Sequence, residues 1–426
     1  MEEKRYERLG MDLFHGQLPN GLHIFVDKRP GHGKQFAFFA TRYGGLDMRF
    51  KTAQGWQDTP AGVAHFLEHK LFDTKDGNAL QLMAANGADP NAFTSFGITG
   101  YFFQCTQGFE ENLRTLLGFV TEPYFTPESV AKEQGIIGQE IAMGDDEAET
   151  EVFYDLLKCL YAHHPIRTHI AGTQASIAQI TDQTLYTCHG AFYDPGNMVL
   201  TVVGDVDPQR VMDLASQVVT GEGKGNPERD YGPAEPEDAV CHDTSRSMEV
   251  SAPLFQMGFK LPVPGNGQAR LRAQLLGDLA GDLLAGEASP LYNRLYGQGL
   301  INRAFSCGYE DYPGCAFLAL GGESRDPGAV RDTVLAECRR VGAEGFEPER
   351  FARCKKAAYG GMVSQLNSFE NTAVELAQSY FDGVEYLTFP EVFQSITAQD
   401  VQDFVARYLT VQCHALAVIT PKEEEA

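Results

Sequence analysis

The chain has 426 residues, 43% hydrophobic and 22% charged, and carries a formal net charge of −24 at pH 7. That length exceeds one ordinary core and fits two domains of roughly 200 residues, while the acidic balance excludes the basic footprint of a nucleic-acid binder. No apolar run reaches the roughly 18 residues of a membrane span, the start "MEEKRYERLG" lacks the apolar core of a signal peptide, and nine scattered cysteines without C-x-x-C read as reduced, so a cytoplasmic protein is expected.

In chain order, "LPNGLHIFVDKR" predicts a turn followed by a strand, and "QFAFFATRYGG" alternates like a second strand. Helices are expected over about 60–73, 77–86, 108–121, 127–160 and 207–218, with β-rich "AFTSFGITGYFFQC" among them and "MVLTVVGDV" closing the first half. The mixture lacks βαβ regularity, and no Walker loop, dinucleotide fingerprint or G-x-S-x-G elbow is present; the fold class expected is α+β. Residues 219–240, rich in Gly, Pro and charge, read as a linker between domains at 1–218 and 241–426.

The second half repeats the first. "YFTPESVAKEQGIIGQE" from Tyr124 finds a counterpart in "GFEPERFARCKKAAYGG" from Gly345, at an offset of 221, and "HFLEHKLF" from His65 lies over "SPLYNRLY" from Ser289. The apolar positions persist, but His65, Glu68 and His69 become Ser289, Tyr292 and Asn293, and Glu140 becomes Gly361. A scaffold needs the former and a reaction the latter, so chemistry is expected in the first half alone.

That chemistry centres on "GVAHFLEHKLF", residues 62–72. On a helix each residue advances about 100°, so His65, Glu68 and His69 share a face, while Val63, Ala64, Phe66, Leu67 and Leu71 cover most other directions. Only Lys70 interrupts the apolar surround. Two imidazoles and a carboxylate taken out of water must be hydrogen-bonded, paired or bound to a metal; the alternative to a metal site is a pair of satisfied core histidines. A catalytic zinc commonly adds a third protein ligand. In "KEQGIIGQEIAMGDDEAETE", Glu133 and Glu140 lie seven residues apart and so on one helix face; Glu140 is the candidate ligand, while the role of Glu133 stays open, a carboxylate that orients a histidine being one reading. The later acids, Asp145, Asp146, Glu147, Glu149 and Glu151, read as a solvated run, and His163 and His164 in "YAHHPIRTH" as a solvated loop.

H-x-x-E-H followed by E-x(6)-E resembles the inverzincins, the insulinase and pitrilysin-like zinc metallopeptidases. The likeness runs over nearly the whole chain, through "LPNGLHIFV", "GVAHFLEHKLF", "NAFTS" with Tyr101 beyond it, Glu133 with Glu140, and "SPLYNRLYGQGL". Lys70, the lack of the family's Gly-Thr after the motif and a short gap from His69 to Glu140 place it nearest a bacterial subgroup of small insulinase-like proteins. The resemblance implies two homologous α+β domains, each an antiparallel sheet with flanking helices. It implies Zn²⁺ held by His65, His69 and Glu140, a catalytic set of Glu68 as general base toward a zinc-bound water and Glu133 as auxiliary glutamate, and cleavage of peptides or a peptide precursor. Extended peptide is expected along "PNAFTSF", with Asn91, Ala92 and Phe93 as contacts, and Tyr309 is the candidate from the second half, where Arg303 and Tyr312 compete. A homodimer, or a heterodimer with a related insulinase-like subunit, is implied; so is an alternative, a non-catalytic or single-substrate maturation or scaffold subunit acting with a paralogue. The acidic balance would favour basic peptides.

Overall fold

The computed structural model describes residues 1–422. They form two compact α+β units. The first comprises Met1–Ile141, Thr168–Tyr231 and Val363–Leu387; the second comprises Ala142–Arg167, Gly232–Met362 and the chain from Thr388 onward.

The first unit is built on a seven-stranded sheet, in the spatial order Glu2–Tyr6, Met11–Gln17, His23–Lys28, Met198–Gly204, Gln35–Thr41, Thr99–Cys105, Ala88–Thr94. The second holds a five-stranded sheet, ordered Asp243–Met248, His414–Pro421, Leu254–Leu261, Cys315–Glu323, Ser306–Tyr312. The last five strands of the first sheet match the five of the second in order and direction, so the duplication is topological as well as sequential. Both sheets are antiparallel except at one pair: His23–Lys28 runs parallel to Met198–Gly204, and Asp243–Met248 parallel to His414–Pro421. In each half the final strand returns after a long helical excursion, the kind of connection a parallel pair requires and a hairpin cannot supply.

The units differ from two contiguous halves divided at 219–240, because each includes a helix from the other half. Ala148–Leu160 belongs to the second unit, and its 13-residue counterpart Phe369–Phe381, displaced by the same offset of 221, belongs to the first. The helix expected over 127–160 is accordingly two helices, Pro127–Asp145 and Ala148–Leu160. Charge explains the break. Asp145, Asp146 and Glu147 crowd the negative end of the first helix, whereas Glu149 and Glu151 occupy the first turn of the second, where the helix dipole favours carboxylates. Glu151 is not solvated but buried, and pairs with Arg246.

In the first unit, Phe369, Ala373 and Ala377 pack with Phe36, Phe38, Val199 and Val203 on one face of the sheet. Thr201 Oγ1 donates to the Ala373 carbonyl at 2.8 Å inside that layer. The opposite face carries the larger core, including Phe66, Leu67, Leu113, Leu117 and Phe192. With both faces covered, Met198–Gly204 is buried throughout and Gln35–Thr41 from Phe36 onward, so these strands read as apolar runs rather than alternating ones. The helix Asp182–Phe192, started by a reciprocal cap between Thr181 and Thr184, lies among the elements the sequence did not announce. His164, expected in a solvated loop, is buried in the second unit, with Nε2 2.9 Å from the Pro313 carbonyl. No helix among the described residues is long and apolar enough to cross a membrane.

Candidate metal centre

The helix Val63–Leu71 starts at a position only glycine fits. Gly62 has φ +99°, and a Cβ there would lie 2.6 Å from the Ala171 carbonyl oxygen. From this start Val63, Ala64, Phe66, Leu67 and Leu71 enter the core, which leaves His65, Glu68 and His69 on the remaining face. The second helix, Pro127–Asp145, opens on a reciprocal cap: Ser129 N donates to Thr126 Oγ1 at 3.1 Å and Thr126 N to Ser129 Oγ at 3.2 Å. Val130, Ile137 and Ile141 bury its core stripe, Glu133 is buried alongside them, and the Glu140 side chain stays 49% exposed.

Seven residues span about 10.5 Å of helix axis, so the two glutamates meet different ends of the imidazole pair. Glu140 Oε1 lies 3.3 Å from His65 Nε2, and its Oε2 lies 3.6 Å from His69 Nε2. Glu133 Oε1 lies 3.1 Å from His69 Nδ1. The imidazole rings are tilted by 59° with centroids 4.6 Å apart. Burial disfavours a charged His69, but the Glu133 hydrogen bond and the charges of Glu68, Glu140 and Glu133 outweigh it and raise its basicity. The His65 hydrogen bond, working against burial and helped by the charges of both histidines, holds the Glu140 carboxyl below its ordinary range.

This donor set fits a metal ion. One nitrogen from each histidine and one carboxylate oxygen of Glu140 lie within 4.8 Å of one another. Two imidazole nitrogens and an anionic oxygen converging on one point is a tetrahedral zinc set with a position left over. A His69 Nδ1–H donated to Glu133 leaves the Nε2 lone pair for the metal. His65 Nδ1 is buried with no hydrogen-bond partner, as a histidine recruited for its other nitrogen can be.

Glu68, on the same helix, stands outside that donor set. It is 9% exposed, and its Oε2 accepts from Thr94 Oγ1 at 2.8 Å. Thr94 ends the strand Ala88–Thr94, the terminal strand of the sheet on that side. Thr94 lies within "NAFTS" and has no role in the sequence pattern; its one signal there is a hydroxyl two residues after Ala92, on the same strand face. Ala92 packs against the core that holds the metal helix, and its N–H is taken by Asn91 Oδ1 at 2.9 Å. Phe93 takes the other face by strand alternation. There it packs with Phe38 and Phe102 and lines a cavity of about 300 Å³ with Leu366, Val374 and Tyr386. Tyr101 is fully buried, its hydroxyl 2.8 Å from that of Tyr193.

Tyr309, Tyr312 and Arg303 belong to the second unit. The Tyr309 hydroxyl donates to Asp311 at 3.4 Å and that of Tyr312 to Glu310 at 2.9 Å, while Arg303 is exposed. In the copied helix, Pro290–Gly297, the counterpart of His65 has become a cap: Ser289 Oγ accepts from Tyr292 N at 2.9 Å, and Asn293 Nδ2 donates to the Ser289 carbonyl at 2.8 Å. These polar groups serve the helix end.

Comparisons with known proteins agree with this division. Residues 56–174 match the family model described as "Insulinase (Peptidase family M16)", and residues 179–358 the one described as "Peptidase M16 inactive domain". The chain is 35% identical to the uncharacterized zinc protease YmfH of Bacillus subtilis (strain 168) over 98% of both chains. It is 25% identical to the uncharacterized zinc protease Rv2782c of Mycobacterium tuberculosis, over 95% of this chain and 92% of the other. The crystal structure of an M16-like peptidase from Alicyclobacillus acidocaldarius superposes with a TM-score of 0.93 at 29% identity, covering 97% of this chain and 99% of that one. Pitrilysin shares the fold at a TM-score of 0.76 and 17% identity, with 99% of this chain covering 46% of pitrilysin.

Proposed function

The chain belongs to the insulinase family, peptidase family M16, with zinc as its cofactor, and we propose that it is an endopeptidase whose centre is His65, His69, Glu140 and Glu68. One observation carries the proposal. Three metal-donor atoms converge within 4.8 Å while a second carboxylate of the cluster, Glu68, is held outside them by Thr94. His65, His69 and Glu140 would hold the metal, which when bound polarises a carbonyl and makes water acidic enough to ionise near neutral pH.

The protein's own groups do the rest. Glu68 accepts the proton of the attacking water and delivers it to the nitrogen of the leaving amine. Glu133 holds the Nδ1–H of His69 and keeps its ring in register. A peptide in extended form adds to the outer edge of Ala88–Thr94, where a peptide carbonyl competes with Asn91 Oδ1 for the Ala92 N–H. Phe93 and Tyr309 are proposed substrate contacts only for peptide that reaches the surfaces they occupy. The formal charge of −24 favours basic peptides over acidic ones. Partnership with a second copy or a related subunit is proposed from the family resemblance, and a cytoplasmic setting from nine free cysteines, five of them buried.

The test measures bound zinc and cleavage of a quenched peptide library for the wild type and Glu68→Gln. Stoichiometric zinc in both, with turnover in the wild type reduced by about 10²–10⁴ in Glu68→Gln, supports the reading. Stoichiometric zinc with no turnover by the wild type, alone or with a related subunit, would sink it in favour of a zinc-holding maturation or scaffold subunit.

A further inference from the structure

Lys70 is the residue of the metal helix that core packing, the donor set and the proposed base all leave unexplained. Its side chain is 1% exposed. An ammonium so buried costs several kcal/mol unless it is paired, and lysines usually extend to bring the charge back to water. Two carboxylates face it: Asp73 Oδ2 at 2.5 Å and Glu133 Oε2 at 3.9 Å. They differ in surroundings. The Asp73 side chain is 47% exposed, whereas that of Glu133 is 11% exposed. A lysine serving Asp73 alone could have met it at the surface. The fold instead keeps the ammonium inside, beside a carboxylate whose other oxygen is committed to His69 Nδ1 at 3.1 Å. Glu133 is thus bracketed, with an imidazole N–H on one oxygen and a cation toward the other.

We propose that Lys70 is a positioning residue of the metal centre. Its ammonium anchors the Glu133 carboxylate, Glu133 holds the Nδ1–H of His69, and the His69 Nε2 is thereby aimed at the metal. The chain of contacts is Lys70 to Glu133 to His69, with Asp73 holding the lysine from the far side. The inference rests on the zinc reading of His65, His69 and Glu140. It also accounts for a cation next to a metal site: Lys70 offsets a glutamate that donates nothing to the metal, while Glu140 remains to do so. Outer partners of metal-bound histidines change metal affinity by about 10–100-fold when removed, and a group one contact further out acts through less than the whole of that effect.

The experiment measures the zinc dissociation constant by competition with a chromophoric chelator, on the full chain, for wild type, Lys70→Met, Lys70→Arg, Glu133→Gln, the Lys70→Met/Glu133→Gln double variant and Asp73→Asn. Lys70→Met nearly conserves volume at a buried position; should it fail to fold, Lys70→Gln takes its place in the same cycle. The expected results are a loss of zinc affinity of about 3–10-fold in Lys70→Met, recovery of most of it in Lys70→Arg, and no further loss when Lys70→Met is added to Glu133→Gln. Asp73→Asn stays within about twofold of the wild type. Wild-type affinity in Lys70→Met overturns the proposal. So do effects of Lys70→Met and Glu133→Gln that multiply, or an Asp73→Asn loss equal to that of Lys70→Met, since each makes the lysine a structural partner of Asp73. A wild type that binds no zinc fails at the first measurement and overturns the zinc reading itself, which keeps the two failures apart.

Discussion

Thr94 Oγ1 donates to Glu68 Oε2 at 2.8 Å, which joins the proposed base to the last residue of the strand along which peptide is proposed to lie. The strand and the metal helix are therefore registered by a side chain as well as by packing. A hydrogen bond to a charged group contributes about 1.5–3 kcal/mol. Thr94→Ala is expected to lower kcat roughly 10–100-fold with zinc content unchanged, and Thr94→Ser to restore most of it. Peptide-cleavage kinetics with parallel zinc analysis make the check; zinc loss in Thr94→Ala would show that the hydroxyl supports the ligands instead.

Metal removal should be visible in stability. A ligand that binds only the folded state at about 100 times its dissociation constant contributes about 2.7 kcal/mol. EDTA should therefore lower the Tm of the metal-bearing unit by roughly 5–10 °C, with added zinc restoring it. Glu140→Gln should melt near the EDTA-treated temperature and respond to neither reagent. A Glu140→Gln protein that keeps full zinc affinity would remove Glu140 from the site.

Acid should strip the metal early. The carboxylates around His69 raise its basicity, so in the metal-free protein a proton competes with zinc at a higher pH than it would at a free imidazole. Zinc affinity is expected to be flat above that pKa and to fall as pH drops through it. Glu133→Gln, which removes one of the raising charges, should move the onset to lower pH. Chelator competition across pH 5–8 reads both curves, and an unmoved onset would exclude Glu133 as a cause.

A second pH effect belongs to the other unit. Burial alone would raise the Glu235 carboxyl, but N–H donors from Ala162, His163 and His164 and the Lys260 ammonium outweigh it and bring the pKa to about 2. A folded-state value below the unfolded one stabilises the fold above the ordinary carboxylate range, and that stability is lost as pH falls through about 2. Glu235→Gln should therefore destabilise the unit at pH 7 and flatten the pH dependence of its unfolding between pH 4.5 and 2. Denaturant unfolding of both proteins at several pH values reads the difference.

Much of the centre was legible because its spacing is helical. His65, Glu68 and His69 occupy one face at any orientation of the helix, and Glu133 and Glu140 share a face by the same arithmetic. The α+β class and the blank second copy could be read because apolar periodicity survives duplication after the ionisable residues have gone. Less legible were features set by neighbours distant in sequence. Lys70 looked like an interruption, since nothing adjacent shows that Glu133 lies 3.9 Å away. Phe93 sat beside Ala92 in the quoted motif, yet strand alternation sends it to the opposite face. Glu151 and His164 read as solvated because their partners, Arg246 and the Pro313 carbonyl, lie far along the chain.

The sequence by itself determined the candidate donor set, the loss of those residues in the second half and the α+β class, because these follow from residue type and period. Only the tertiary structure decided that the buried Lys70 ammonium stands 3.9 Å from Glu133. The same holds for Thr94 as the hold on Glu68, and for Ala148–Leu160 and Phe369–Phe381 each joining the unit opposite to its own half. The reason is physical: a period places a side chain on a face of its own element, whereas a contact depends on what the fold lays against that face.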